Sequence, residues 1–188
     1  VLAAIGITMV MNLPGQDPKK YELEARKFEG EGDYNRAMQA YGRAFGKSKS
    51  STLEHLVRAA RGAVEDGKLP QAVGFLGQVL LRDPELASAL TLSTQWQCEL
   101  AKMSGERGQW LRVLENAQKL AKVEAESPLA HHALGLAYLN LRTDDDSYVG
   151  LGETHLQRAL ELDPTNTDIV KDLVDQSWLS ARQKGAAG

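Results

Sequence analysis

The sequence predicts an all-α protein built from antiparallel helix hairpins stacked side by side. Three observations support this. Stretches of the chain fit one repeating template of about 34 residues. Within each stretch apolar residues return every three or four positions, the signature of one helix face. The composition is rich in Ala, Leu and Glu, and only 6% of the 188 residues are aromatic, which suits helices better than a β-sandwich.

The first stretch covers residues 18–51. Tyr21, Ala25 and Phe28 share one face of a first helix. A turn at Gly30-Glu31-Gly32-Asp33-Tyr34 follows, with glycine supplying backbone freedom and Asp33 placed to cap a second helix. That second helix carries Ala37, Tyr41 and Ala44 before a Ser/Lys-rich connector around Lys49. The second stretch, 53–86, places Leu56, Ala60 and Ala63 inward, turns at Gly67, and continues through Ala72, Leu76 and Val79 to Asp83-Pro84.

The third unit, 87–126, keeps the periodicity but loses the pattern. Its first helix holds Leu90, Trp96 and Leu100. A turn is expected over Ser104-Gly105-Glu106-Arg107-Gly108, and Trp110, Val113, Leu114, Ala117, Leu120 and Ala121 form the second face. The fourth, 128–164, reads Ala133-Leu134-Gly135-Leu136-Ala137-Tyr138 and then Leu156-Gln157-Arg158-Ala159-Leu160-Glu161-Leu162-Asp163-Pro164. Between them Arg142 to Gly150 makes a long, acidic loop that should protrude. A terminal helix over 165–182, with Ile169, Leu173, Val174 and Trp178 apolar, caps the stack.

The Leu-Gly, Tyr, Ala-aromatic-Ala and closing Pro of these stretches resemble the tetratricopeptide repeat (TPR) family. The resemblance covers residues 18–182 and is weakest in the third unit. It implies a right-handed superhelix of hairpins in which no pair buries its apolar face alone. It also implies a non-enzymatic protein–protein interaction scaffold whose concave groove is lined by the first helix of each repeat. Carried over by position, the groove residues are Lys19, Glu22, Arg26, Glu29 and Gly30 in the first repeat. They are Glu54, Val57, Arg61, Val64 and Glu65 in the second, and Leu129, His132, Leu136, Leu139 and Asn140 in the fourth. Such a lining runs from charged to apolar and suits a segment with one charged and one apolar end. Chaperone-type relatives clamp a C-terminal carboxylate with Lys and Asn where Glu22 and Arg26 stand here, which argues against that class.

Ahead of the repeats, residues 1–13, from Val1 to Leu13, carry no charge, and the linker 14–18 contains Pro14, Gly15 and Pro18. Thirteen helical residues span about 20 Å, short of the ~30 Å bilayer core. The run lacks the polar face that a soluble surface helix should have. It reads as the distal part of a transmembrane anchor. An apolar signal-peptide core and a helix packed on the first repeat are the other readings, and both ends of the sequence look like cuts from a longer chain. With an anchor, the protein is a single-pass membrane scaffold whose repeats are extracytoplasmic, although Lys19-Lys20 favours the opposite side. Its partners would be proteins, membrane proteins among them. A structural subunit of a membrane complex and a soluble adaptor are the alternatives.

Chemistry is sparse. Net charge is −3 without a basic cluster, which argues against a nucleic-acid reader. A lone Cys98 excludes an intrachain disulfide framework. No phosphate loop or nucleophile elbow is present, so no catalytic set, cofactor or metal is expected. Adjacent His131 and His132 diverge by about 100° on a helix, although His155 could approach one of them across the hairpin. The Asp144-Asp145-Asp146 run fails the calcium-loop spacing, with Val149 where Gly belongs and His155 where Glu belongs.

Overall fold

The structure, a computed structural model, describes residues 17–47, 53–145 and 147–175. The helix and anchor expected over residues 1–13, most of the linker, Lys49, Asp146 and the final residues 176–182 with Trp178 lie outside the described residues. Among those that are described, no helix is long and apolar enough to cross a membrane.

The described chain is all-α. The helices are α1 (Pro18–Gly30), α2 (Tyr34–Lys47), α3 (Leu53–Glu65), α4 (Leu69–Arg82), α5 (Ala87–Ser104), α6 (Arg107–Val123), α7 (Pro128–Asn140) and α8 (Tyr148–Leu162). Residues 167–175 are also helical. The chain divides into two compact units, with the boundary inside α4 after Val79.

In the first unit, α1 opens at an Asp17 N-cap, whose carboxylate accepts from Lys19 N–H at 3.0 Å, with Pro18 in the first turn. Both are standard start signals. The turn to α2 uses Gly32 at φ 74°, a left-handed value costly for other residues. Asp33 then accepts from Arg36 N–H at 3.0 Å and caps α2. Ala25, Ala37, Tyr41, Ala44, Leu56, Ala60 and Ala63 are all nearly or fully buried. The small residues allow α1 against α2, and α2 against α3, to approach closely.

The second unit has its largest core around α6, α7 and α8, with Trp110, Val113, Ala117, Leu134, Leu136, Leu139 and Leu156 buried together. Leu90, Leu120 and Ala130 form a second cluster. The α5–α6 turn is tighter than expected. Ser104 ends α5, Arg107 begins α6, and Gly105 at φ 66° makes the reversal. Ser104, Arg107 and Gly108 are therefore helical, because one left-handed glycine suffices to end α5. The interior here is partly polar. Buried Ser93 and Gln97 accept from the Asn116 amide at 3.0 and 2.8 Å.

The α7–α8 pair is the tightest contact. A Cβ added at Gly135 would meet Leu156 Cγ at 2.6 Å, and one added at Gly152 would meet Leu139 Cγ at 2.5 Å. Each leucine thus fills the space left by the opposing glycine. The connecting loop does not hang free. The Arg107 guanidinium donates three bonds to Asp144, at 3.1, 3.2 and 2.9 Å, and ties the loop to the start of α6. Tyr148, Val149 and Gly150, expected in that loop, form the first turn of α8.

Candidate functional site

The expected groove positions are divided between the two units. In the first unit the exposed parts of α1 and α3 are charged but largely self-paired. Glu22 binds the Arg26 guanidinium at 2.5 Å and lies 3.4 Å from His55 Nε2. The Glu22 carboxyl is held below its ordinary range, the Arg26 hydrogen bond outweighing the effect of burial. Glu54 pairs with Arg58 at 2.9 Å, and Glu29 accepts from the buried Tyr41 hydroxyl at 2.7 Å. Lys19 and Arg61 are exposed, and Val57 and Val64 are half-buried between these charges. Exposed pairs of this kind contribute about 0–1 kcal/mol each. They fix side-chain positions more than they stabilise the fold.

In the second unit a cleft of about 260 Å³ opens between the start of α7 and the chain that follows α8. It is lined by Pro128, Leu129, His132, Asp163, Asn166 and Ile169. Ser127 caps α7, and Pro128 occupies its first turn, so the α7 wall is set by local start signals. On the other wall, Asp163 accepts from Thr165 and Asn166 side chains at 3.0 and 3.2 Å. His132 lies 2.7 Å from Asp172 Oδ2, and Lys102 Nζ reaches the same oxygen at 3.3 Å. Burial pushes the Asp172 carboxyl upward, but the His132 hydrogen bond and the Lys102 charge outweigh it, and the group titrates below its usual value.

Two predicted groove residues take no part in either surface. Leu136 is 5% and Leu139 3% exposed. Leu136 is in the core with Trp110 and Val113, and Leu139 packs over Gly152. The positional pattern did not register that the second half of α7 is buried almost throughout, from Ala133 to Ala137 and again at Leu139. Asn140 is exposed at the helix end, where its amide donates to the Leu136 carbonyl.

Sequence reasoning did not identify Asp163, Asn166, Ile169 or Asp172 as partners of Leu129 and His132. By residue type the closing Asp163-Pro164 signals only the end of a repeat, yet it starts the turn that carries the cleft's second wall. Cys98 is buried, and burial pushes its thiol up to about 12, which keeps it protonated near neutral pH. Among the described residues no group of three or more His, Cys, Asp or Glu gathers as a metal centre.

A third cluster lies on the α7–α8 pair. His131 and His155 bring their Nδ1 atoms to 2.9 Å, and His131 Nε2 lies 3.1 Å from the Ala125 carbonyl oxygen. The His155 ring stacks on Tyr138, which meets Tyr148 edge-on. Burial, followed by the neighbouring His131, lowers the His155 pKa.

Stacked helix hairpins, with the close glycine contact of α7 on α8 and the capped, proline-started α1 and α7, define a TPR-like all-α fold. Solved structures with this fold include MamA from Desulfovibrio magneticus RS-1, at 19% identity and TM-score 0.71, covering 92% of this chain and 90% of that one. A MamA structure labelled AMB-1 is similar at 15% identity and TM-score 0.63, covering 90% and 85%. A thermophilic TPR protein of Thermus thermophilus matches at 20% identity and TM-score 0.54, covering 87% and 82%. No family model and no curated protein matches the chain. At these identities the likeness concerns the fold.

Proposed function

We propose that this protein is a non-enzymatic protein–protein interaction scaffold that holds a partner segment on the first-helix surface of its TPR-like fold. The observation that carries the proposal is the cleft where Leu129 and His132 meet Asp163, Asn166 and Ile169. Apolar walls flank a few fixed polar groups there, the usual make-up of a recognition site. The charged face of the first unit, with Lys19, Glu22, Arg26, Glu29, Glu54 and Arg61, is the second candidate contact. The scaffold is proposed to be tethered to a membrane through residues 1–13, with the repeats on the extracytoplasmic side. The support for the tether is the uncharged run itself.

The test places a photo-crosslinking amino acid at Leu129 or His132 in the cell and, as a control, at the exposed Arg112 of α6. A discrete partner band from the first two positions and none from the control is expected. Equal labelling from all three, or none, refutes the cleft. Separately, the full-length protein should sediment with membranes and require detergent for release. Recovery in the soluble fraction would remove the tether and leave a soluble adaptor.

A further inference from the structure

The His131–His155 contact goes beyond partner binding. We propose that these two imidazoles form a site for a divalent transition-metal ion, Cu²⁺ or Ni²⁺, that clamps α8 to the start of α7.

The tautomers follow from the geometry. The Ala125 carbonyl can only accept a hydrogen bond, so His131 Nε2, 3.1 Å away, must donate. Neutral His131 therefore presents a lone pair at Nδ1, facing His155 Nδ1 at 2.9 Å. Without metal, His155 Nδ1–H donates across this gap. With metal, the His155 proton resides on Nε2, and both Nδ1 lone pairs turn to one ion with no net proton release from the neutral pair. The Ala125 carbonyl is already the orienting partner that a metal-bound histidine ordinarily has.

The donor set and the closeness of the two nitrogens suit Cu²⁺ and Ni²⁺, which imidazole binds well. With metal–nitrogen bonds of about 2.0–2.1 Å, a 2.9 Å nitrogen separation subtends about 90° at the metal. That is the angle of adjacent ligands in square-planar, tetragonal or octahedral coordination, the preference of Cu²⁺ and Ni²⁺. The remaining positions go to water, in keeping with the absence of a third protein donor among the described residues. The His155 ring is held by two neighbours, stacked at 5.2 Å on His131 and at 5.7 Å on Tyr138. His132 does not join, because it faces Asp172 instead.

The test titrates Cu²⁺ into the tag-free, metal-stripped full chain by calorimetry and records its electron paramagnetic resonance spectrum. One ion per chain, with hyperfine splitting from two equatorial imidazole nitrogens, is expected. Affinity should fall by about tenfold or more in His131→Ala and His155→Gln. It should persist in a His55→Gln/His132→Gln double variant. Circular dichroism establishes that each variant is folded, and His155→Gln retains a side chain of similar reach should His131→Ala unfold. Cu²⁺ and Ni²⁺ should raise the melting temperature more than Zn²⁺ does. Unchanged binding in His155→Gln, a single-imidazole spectrum or no one-to-one binding would overturn the proposal.

Discussion

Two glycines of α8, two residues apart, should respond to the same substitution with opposite signs. At Gly152 an added Cβ would stand 2.5 Å from Leu139 Cγ and 3.1 Å from the Gly135 backbone oxygen. Ordinary carbon–carbon contacts are about 3.5–4.0 Å, so the overlap is about 1 Å. Leu139 cannot swing away cheaply, because the clash is at its branch carbon and it is 3% exposed. Moving α7 would also disturb Leu156 over Gly135. Overpacking of this kind costs about 1–3 kcal/mol, and the gain from replacing a helical glycine returns at most ~1 kcal/mol. Gly152→Ala should therefore destabilise the second unit by about 1–2 kcal/mol. At roughly 2–4 °C per kcal/mol this is a drop of about 2–8 °C in melting temperature. At Gly150 nothing lies within 4 Å of the added carbon, so Gly150→Ala should be neutral or stabilising by up to ~1 kcal/mol. Urea unfolding followed by tryptophan fluorescence is the suitable assay. Trp96, Trp110 and Trp178 all follow the boundary between the units in the chain and none precedes it, so the signal isolates the affected part. Equal stability of Gly152→Ala and the parent, or equal losses at both glycines, would refute the packing argument.

The remaining predictions concern polar groups in the second unit. Thr94 is fully buried, and its hydroxyl has no hydrogen-bond partner among the described residues. Thr94→Val keeps the shape and removes the unsatisfied group, so it should raise stability by about 1 kcal/mol. A clear loss of stability in the same urea assay would mean that the hydroxyl is paired. Asp172 has a carboxyl pKa depressed by His132 and Lys102. Its stabilisation is therefore complete above the ordinary carboxyl range near about 3.9 and is lost as pH falls through the lower, folded-state value. Acid unfolding of the parent should show this loss below about pH 4, and Asp172→Asn should flatten that part of the profile. Identical acid limbs for the two proteins would remove the ion pair from the account.

Much of the fold was legible because backbone demands are written in residue types. Gly67 and Gly105 occupy left-handed turns at φ 72° and 66°, and Ala37, Tyr41 and Ala44 form a buried stripe. The third hairpin was less legible because its interior is not purely apolar. Ser93, Gln97 and Asn116 satisfy one another across α5 and α6, and a reading of apolar periodicity counts such positions as surface. The turn between those helices is shorter than its residue types suggest. Ser104, Arg107 and Gly108 look like loop residues by type, but the end of α5 is set by Gly105 alone. Histidine spacing showed that His131 and His132 diverge. It also placed His155 within reach of one of them across the hairpin, and His131 is the one it meets; Asp172 beside His132 was not legible, because it comes close only through packing.

The α7 positions carried over by the repeat pattern are accessible at one end of the helix and buried at the other, for a physical reason. Near its start, Ser127 and Pro128 fix the entry of the helix, and the chain from Asp163 onward stands off far enough to leave a cleft. Further along, the Gly135–Gly152 contact draws α8 in until Leu139 fills the space over a glycine. The same contact that tightens the hairpin therefore removes a side chain from the exposed surface of α7. What remains is a short site whose polar member, His132, is already held by Asp172. A partner group entering beside His132 meets an oriented imidazole and loses little side-chain entropy in using it, which favours preorganised binding. A partner that needs the Asp172 carboxylate instead must displace both His132 and Lys102. If the cleft holds a partner segment as proposed, it should favour segments that add to the His132–Asp172 pair over those that must break it.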